Sequence, residues 1–514
     1  MNLKRKLAGI VAGAAVLLTL AATAKAQVSG DAILDKLVAK GILTQEEAAQ
    51  LKKEAATNNA GSYNNAQFPK FKLSSAFKDA ELYGDLRFRF ESRSAKLGPE
   101  AGSIYDAENR WRYALRIGVR GDLVDDFYYG LRLETSPNER SPWNTIGNGG
   151  GSTPTYYGPF SKANNYSVFV GQAYVGWRPT PWLDVSVGRV PQPLYTTSMV
   201  WDSDFSPEGA VEKIKYSKGP VDYFVTLAQY VYQDVSPGSD YAIQGGSNAL
   251  SFLGDLSDHN AYLLAWQLGA TYHVDKDLWA KVAPVVYTYV GHGNASDGFY
   301  GPFVGQGESG YTFLPGTSTS GLPGAFVFEG VPASYNQTGI NDLAIVEIPM
   351  EVDFKLGSLD AKAFGDYSIN LQGDDRARAA YAAGGKTAFP GGLQLNQGQA
   401  MQIGLAVGNN LGLVYGTTSK KGTWEARAYW QHVEQYALDP NLLDSDFFEG
   451  RGNMQGIYTA FAYSFTDAII ATVRYGLAGR INGQLGTGGY NADLPLPNPI
   501  TRYQVLQMDL TMRF

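Results

Sequence analysis

Cysteine is absent from the 514 residues, which excludes a disulfide framework, a thiolate metal site and thiol redox chemistry. Histidine is almost absent too: His259, His273, His292 and His432 are the only four. None sits in a spacing such as H-E-x-x-H, and no G-x-S-x-G string occurs, so neither a zinc hydrolase nor a serine hydrolase is suggested. No enzyme activity and no cofactor are expected. After the first two dozen residues there is no apolar run of the roughly 20 residues that a spanning helix needs, and mean hydropathy is -0.21. Positive charge is in deficit as well. The formal net charge is -7, which argues against nucleic acid as a partner.

What the chain has in quantity is aromatic residues and glycine: 33 Tyr, 24 Phe, 9 Trp and 60 Gly. That usage suits many short strands with aromatic girdles better than an enzyme core. The start of the chain carries Lys4, Arg5 and Lys6, an apolar stretch from Leu7 to about Ala22, and Ala24-Lys25-Ala26 before Gln27. This is the layout of a cleaved secretory signal, residues 1–26. Its loss would remove four basic residues and take the net charge to about -11. Residues 27–70 read as a helical hairpin and linker. Ile33, Leu34, Leu37 and Val38 share a helical face, Gly41 stops it, Thr44 and Glu47 form a capping box for a second segment, and an Asn/Gly/Ala-rich stretch follows from Thr57 to Gln67.

From Glu81 onward the dominant signal is alternation with period two, in pieces of about ten residues, the length a tilted strand needs to cross a bilayer. Leu82, Gly84, Leu86, Phe88 and Phe90 fall on one face of the first piece, and Tyr83, Asp85, Arg87, Arg89 and Glu91 on the other. The second and third pieces repeat the pattern around the short turn Asp122 to Asp126. The pattern predicts an all-β, transmembrane, antiparallel up-and-down β-barrel over residues 71–514. About sixteen strands are expected, with eighteen as the alternative, starting near residues 81, 108, 126, 165, 182, 208, 220, 260, 277, 339, 358, 399, 422, 453, 468 and 500. Connections near Asp122, Pro179, Lys218, Asp275, Gly357, Lys420 and Asp467 read as short turns, and those between them as long loops. An even strand count then puts the hairpin and the C-terminus on the short-turn, periplasmic side.

The final strand alternates Leu506, Met508, Leu510, Met512 and Phe514 with Gln507, Asp509, Thr511 and Arg513. A terminal Phe in that phase resembles the assembly signal of bacterial outer-membrane proteins. Five further stretches, LVAKGILTQEE (Leu37 to Glu47), YGDLRFRFE (Tyr83 to Glu91), VRGDLVDDFYYGLRLET (Val119 to Thr135), AYVGWRPTPWLDVSVGRVPQP (Ala173 to Pro193) and MVWDSDFSPEG (Met199 to Gly209), resemble a family of porins from Gram-negative outer membranes that carry a short helical hairpin before the barrel. The resemblance implies a general diffusion channel in the outer-membrane lipid. It further implies a homotrimer, inserted by the barrel-assembly machinery, that passes small hydrophilic solutes without catalytic residues.

Function in such a pore resides in lumen-facing charge and in whatever narrows the opening, because a barrel this wide is not filled by its wall side chains. Arg87, Arg89, Arg110, Arg112, Arg116, Arg120 and Arg132 share the polar face of three consecutive strands and are expected to form a basic ladder. A lipid-facing arginine would cost about 2–4 kcal/mol, and pairing with Asp85, Glu91 or Glu134 is the alternative structural role. The third long loop, with Trp201, Asp202, Asp204 and Glu208, is the candidate constriction. Its string Asp-Ser-Asp-Phe recurs at Asp444 to Phe447, with Glu449 following. Asp444 and Asp446 are weak calcium candidates, and solvated loop acids are the preferred reading. A substrate-specific anion, phosphate or carbohydrate channel is the alternative within transport. An adhesive or structural envelope barrel with a blocked lumen is the alternative outside it.

Overall fold

Phe88 is 45 % exposed and Arg89, its neighbour in the same strand, is 3 % exposed. Alternation of this sign, apolar outward and charged inward, is the reverse of a soluble sandwich, and exposed apolar side chains line the outer face of strands all around the sheet. The computed structural model describes residues 74–97, 104–136, 141–147, 167–233, 261–291, 344–374, 397–439, 442–444, 446–448, 450–482 and 500–514. The chain divides into Met1–Phe77 and Lys78–Phe514. The expected signal and the helical hairpin lie outside the described residues.

The second unit carries the strands β1 (Glu81–Leu97), β2 (Ile104–Asp122), β3 (Phe127–Ser136), β4 (Asn144–Thr145), β5 (Ser167–Thr180), β6 (Leu183–Arg189), β7 (Glu208–Lys218), β8 (Val221–Gln233), β9 (Ala261–His273), β10 (Trp279–Val282), β11 (Val285–Gly291), β12 (Ala344–Leu356), β13 (Leu359–Asn370), β14 (Gln399–Gly408), β15 (Trp424–Val433), β16 (Met454–Ser464), β17 (Ile469–Arg480) and β18 (Ile500–Arg513). Each pairs antiparallel with its neighbours in one sheet, and β18 returns to β1 from Asp85↔Arg513 to Leu97↔Ile500. The barrel is therefore closed and leaves no edge.

Two of these eighteen segments are not staves of their own. β10 and β11 both pair with β9 and β12 and form one stave, interrupted at Ala283 and Pro284, where proline has no N–H for the ladder. β4 has two residues and pairs with β2 beyond the end of β3. Sixteen staves remain, and each begins within five residues of its expected start.

One rim carries the tight connections. Packing in the strands beside it is close: a Cβ on Gly176 would lie 2.0 Å from the ring of Tyr128 on β3, so only glycine lets that ring lie flat against the neighbouring strand. The connection near Lys420 differs from the expected short turn. It runs over residues 409–423 and buries Leu413 and Val414 completely. The Glu425 carboxylate accepts from the backbone N–H of Gly412 at 2.9 Å and of Val414 at 3.0 Å, and Arg474 donates to the Val414 carbonyl at 2.9 Å. Both partners are inward-facing wall residues, so this turn folds into the barrel mouth instead of closing over its edge.

Candidate functional site

The loop between β6 and β7, residues 190–207, lies inside the barrel. At its near end the Gln267 side chain on β9 accepts from the Tyr195 N–H at 2.8 Å and donates to the Tyr195 carbonyl at 2.7 Å. Thr196 then donates to Glu347 on β12 at 2.6 Å, and Thr197 donates to Asp366 on β13. Further along, Arg116 on β2 donates to Asp204. In a ring of sixteen, β2 is eight staves from β12, so the loop crosses the lumen from wall to opposite wall. Met199, Val200 and Trp201 are buried in a cluster with Val211, Tyr230, Leu263 and Tyr287 of the inner wall.

A second loop does the same from the other side. Residues 434–453, between β15 and β16, place Asp439 against Tyr232 on β8 and Tyr289 on β11, each hydroxyl donating at 2.8 Å. They place Asp446 against Arg89 on β1 at 2.8 Å and Gln507 on β18 at 3.0 Å. Leu443, Phe447 and Phe448 join the same apolar cluster. The two loops touch where the Asp202 N–H donates to the Leu442 carbonyl at 2.6 Å.

The repeated Asp-Ser-Asp-Phe string now has a physical explanation. In each copy the first carboxylate accepts the backbone N–H of the second aspartate, Asp202 from Asp204 at 2.8 Å and Asp444 from Asp446 at 2.7 Å. Such a turn fixes the second carboxylate in place, and that carboxylate takes an arginine of the wall. Burial pushes the Asp446 carboxyl up, but Arg89, Arg474 and Arg93 outweigh it and hold the group well below the usual carboxylate range. Asp204 is likewise lowered on balance, burial being opposed by Arg116 and Arg87. Asp444 and Asp446 are thus engaged within the protein, unlike the solvated acids expected of a surface loop. Glu449 lies outside the described residues. Among the described residues there is no group of three or more His, Cys, Asp or Glu able to hold a metal ion.

The arginines differ in burial and in partner. Arg89 is buried among Asp446, Asp509 and Glu91, with the Trp143 ring 4.1 Å from its guanidinium carbon. Arg110 and Arg112 converge on Glu91 at 2.5 and 3.6 Å, and Arg116 lies 3.5 Å from Glu134 in addition to Asp204. Arg87 pairs with Asp85 at 2.5 Å and Arg132 with Glu134 at 3.0 Å on the same inner face. Arg120 stands apart at the short-turn rim, half-exposed and paired with Glu81 at 2.8 Å. Glu208, at the start of β7, pairs with Arg189 at 2.7 Å and does not join Asp202 and Asp204. Phe514 exchanges backbone hydrogen bonds with Gly84 at 2.9 and 3.1 Å, so the last residue helps to close the ring.

Some members of the cluster were missed. Arg93, buried on β1 and 3.0 Å from Glu91, is two residues beyond the stretch Tyr83 to Glu91 and in the same phase. Arg474 on β17 faces inward to Asp509, a position that alternation also marks. The inward-folding segment 409–418 has no such signal.

The family model described as "Putative porin" matches residues 90–301 and 347–514, about three quarters of the chain. No curated protein matches. Among solved structures, the OmpF of Salmonella typhi in complex with daunomycin is similar with 10 % identity and a TM-score of 0.40, over 86 % of this chain and 99 % of that one. A loop-deletion mutant of OmpT, an outer membrane protein of Vibrio cholerae, aligns with 9 % identity and a TM-score of 0.37 over 85 % and 99 % of the two chains. A mutant of the Rh. blastica porin aligns with 11 % identity and a TM-score of 0.35 over 85 % and 100 %. With the family model covering most of a closed sixteen-stave barrel, apolar outside and charged within, the chain belongs to the porin family of that description and is an outer-membrane channel for passive diffusion of small solutes.

Proposed function

We propose that solutes pass a lumen narrowed by two crossing loops, and that the arginine ladder serves chiefly to hold those loops in place. The observation that carries this reading is the pair of matching contacts, Arg116 with Asp204 and Arg89 with Asp446, one on each copy of the repeated string. Eight arginines of this sector (87, 89, 93, 110, 112, 116, 132 and 474) face seven carboxylates (Asp85, Glu91, Glu108, Glu134, Asp204, Asp446 and Asp509). Charge is nearly balanced, which favours a general pore for small hydrophilic solutes over a phosphate-selective or other anion-specific channel. Purified protein in a planar bilayer is expected to show stepwise conductance with weak ion selectivity. A strongly anion-selective reversal potential would favour the anion-specific reading, and absence of conductance the adhesive or structural barrel.

The short-turn rim and the C-terminus are taken to face the periplasm, with the strand ending in Phe514 read by the barrel-assembly machinery. Assembly as a homotrimer is supported by one feature of the outer wall. On β7, Val211 is buried in the interior cluster while Ile214 and Tyr216 face outward, so Glu212 faces outward too, beside Gln229 of β8 at 3.1 Å. It is four residues from Tyr216, whose ring stacks on Tyr223, or about 10 Å into the apolar band for a tilted strand. A carboxylate there is better placed against another protein surface than against acyl chains. Glu212→Arg is expected to shift the oligomer toward monomer in native electrophoresis or sedimentation in detergent. An undisturbed trimer would remove this face from the interface.

A further inference from the structure

We infer that the inner wall holds a binding site for a hard divalent cation, of calcium type, where Thr196 and Thr197 meet β12 and β13. Glu347 and Asp366 are buried, 0 % and 3 % exposed. They face inward from adjacent antiparallel strands, with Pro349 opposite Asp366 and Ser368 opposite Glu347. Their side chains lie in direct contact, and neither forms an ion pair among the described residues. Elsewhere inside this barrel buried carboxylates such as Asp509 and Glu91 meet a guanidinium, and Asp439 meets two tyrosine hydroxyls. At this place the neighbouring side chains offered to the pair are hydroxyls, beside a backbone hydrogen bond from Tyr367 to Asp366. Thr196 donates to Glu347 at 2.6 Å, Tyr287 donates to its other oxygen at 2.5 Å, and Thr197 donates to Asp366.

Two further atoms are independent of those contacts. The Ser368 Oγ, in a residue that is 0 % exposed, has no hydrogen-bond partner, and neither has the Asp366 Oδ1. Two uncompensated carboxylates in a dry site repel and are costly to bury. The two carboxylates with Ser368, Thr196, Thr197 and Tyr287 supply six or more oxygens and a charge of minus two, the donor chemistry and charge that suit Ca²⁺. Nitrogen and sulfur donors are absent from the set, so a softer metal has no preference for it. Bound there, the ion would join the loop to two staves, as the arginines do at the loop's other end.

The test uses the full chain in detergent, stripped with a chelator and titrated with calcium alone by calorimetry. One tight equivalent is expected in the wild type and in Asp444→Asn, and at least a tenfold loss of affinity in Glu347→Gln/Asp366→Asn. Ser368→Ala removes one uncharged donor and is expected to weaken binding several-fold, so the site stays testable should the double variant fail to fold. A stripped wild type that takes up no calcium would overturn the site, the pair then being balanced by a proton, and so would binding that survives both sets of substitutions. The calcium titration does not depend on conductance, so failure here and failure of the pore model are distinguishable.

Discussion

The two halves of the inner wall hold the same loops by different physics. From β17 through β18 and β1 to β3 the wall is a lattice of buried ion pairs, in which Arg89 alone meets three carboxylates. From β7 to β15 the loops meet mainly apolar and aromatic side chains and uncharged hydrogen-bonding groups, with Leu263, Tyr287, Tyr289, Ile345 and Tyr429 in one cluster with Met199, Trp201 and Phe447. Ionic contacts inside a narrow lumen fix direction and register, since each carboxylate must meet its own guanidinium. Apolar burial contributes without such selectivity. A loop anchored by both is held in place and also held at one angle, which is what a filter of constant size needs.

The comparison can be broken most sharply at Arg89. Arg89→Ala removes the buried guanidinium that bridges Asp446 and Asp509, leaving them to Arg93 and Arg474, and is expected to destabilise the barrel by about 3 kcal/mol, read from unfolding in detergent by urea or heat. Arg120→Ala, at the rim and half-exposed, should cost about 1 kcal/mol or less. Equal losses at the two positions would mean that burial of the pairs does not matter. On the apolar side, Met199→Ala removes a fully buried side chain from the loop and should cost about 2–4 kcal/mol by the same measurement. That loss should not depend on ionic strength.

Acidity separates the halves by a smaller effect. The folded Asp446 carboxyl sits below its unfolded value, so the stability it contributes is complete above about pH 4 and is lost as pH falls through the folded value. The loop 434–453 should therefore resist proteolysis unchanged from neutral pH into mild acid and loosen only below about pH 3. Loosening already near pH 5 would show that the arginines do not hold Asp446.

Most of the fold was legible because alternation is a physical necessity where one face of a strand meets hydrocarbon and the other water. Phe88 and Arg89 could not exchange places. Strand count was legible for the same reason, apart from the break at Ala283 and Pro284. The direction of Arg87, Arg89, Arg110, Arg112, Arg116 and Arg132 follows from that pattern, but their partners do not. Asp446 reaches Arg89 across 357 positions of sequence, and local spacing carries no trace of such a contact. The repeated string Asp-Ser-Asp-Phe was visible, but its role in positioning a carboxylate for an arginine required the backbone turn. Glu208 was grouped with Asp202 and Asp204 by proximity in sequence, and the start of β7 turns it toward Arg189 instead. The connection near Lys420 is expected to be short from the alternation of short and long connections, and it runs over residues 409–423. Its inward fold depends on Glu425 and Arg474 of the wall.

Single-channel conductance of Asp204→Asn/Asp446→Asn beside the wild type addresses the crossing loops most directly. These substitutions keep size and remove both matching ionic contacts. Larger and noisier unit steps, with passage of neutral sugars that the wild type excludes, are the expected result. Steps of unchanged size and an unchanged sugar cut-off would show that neither loop limits the pore.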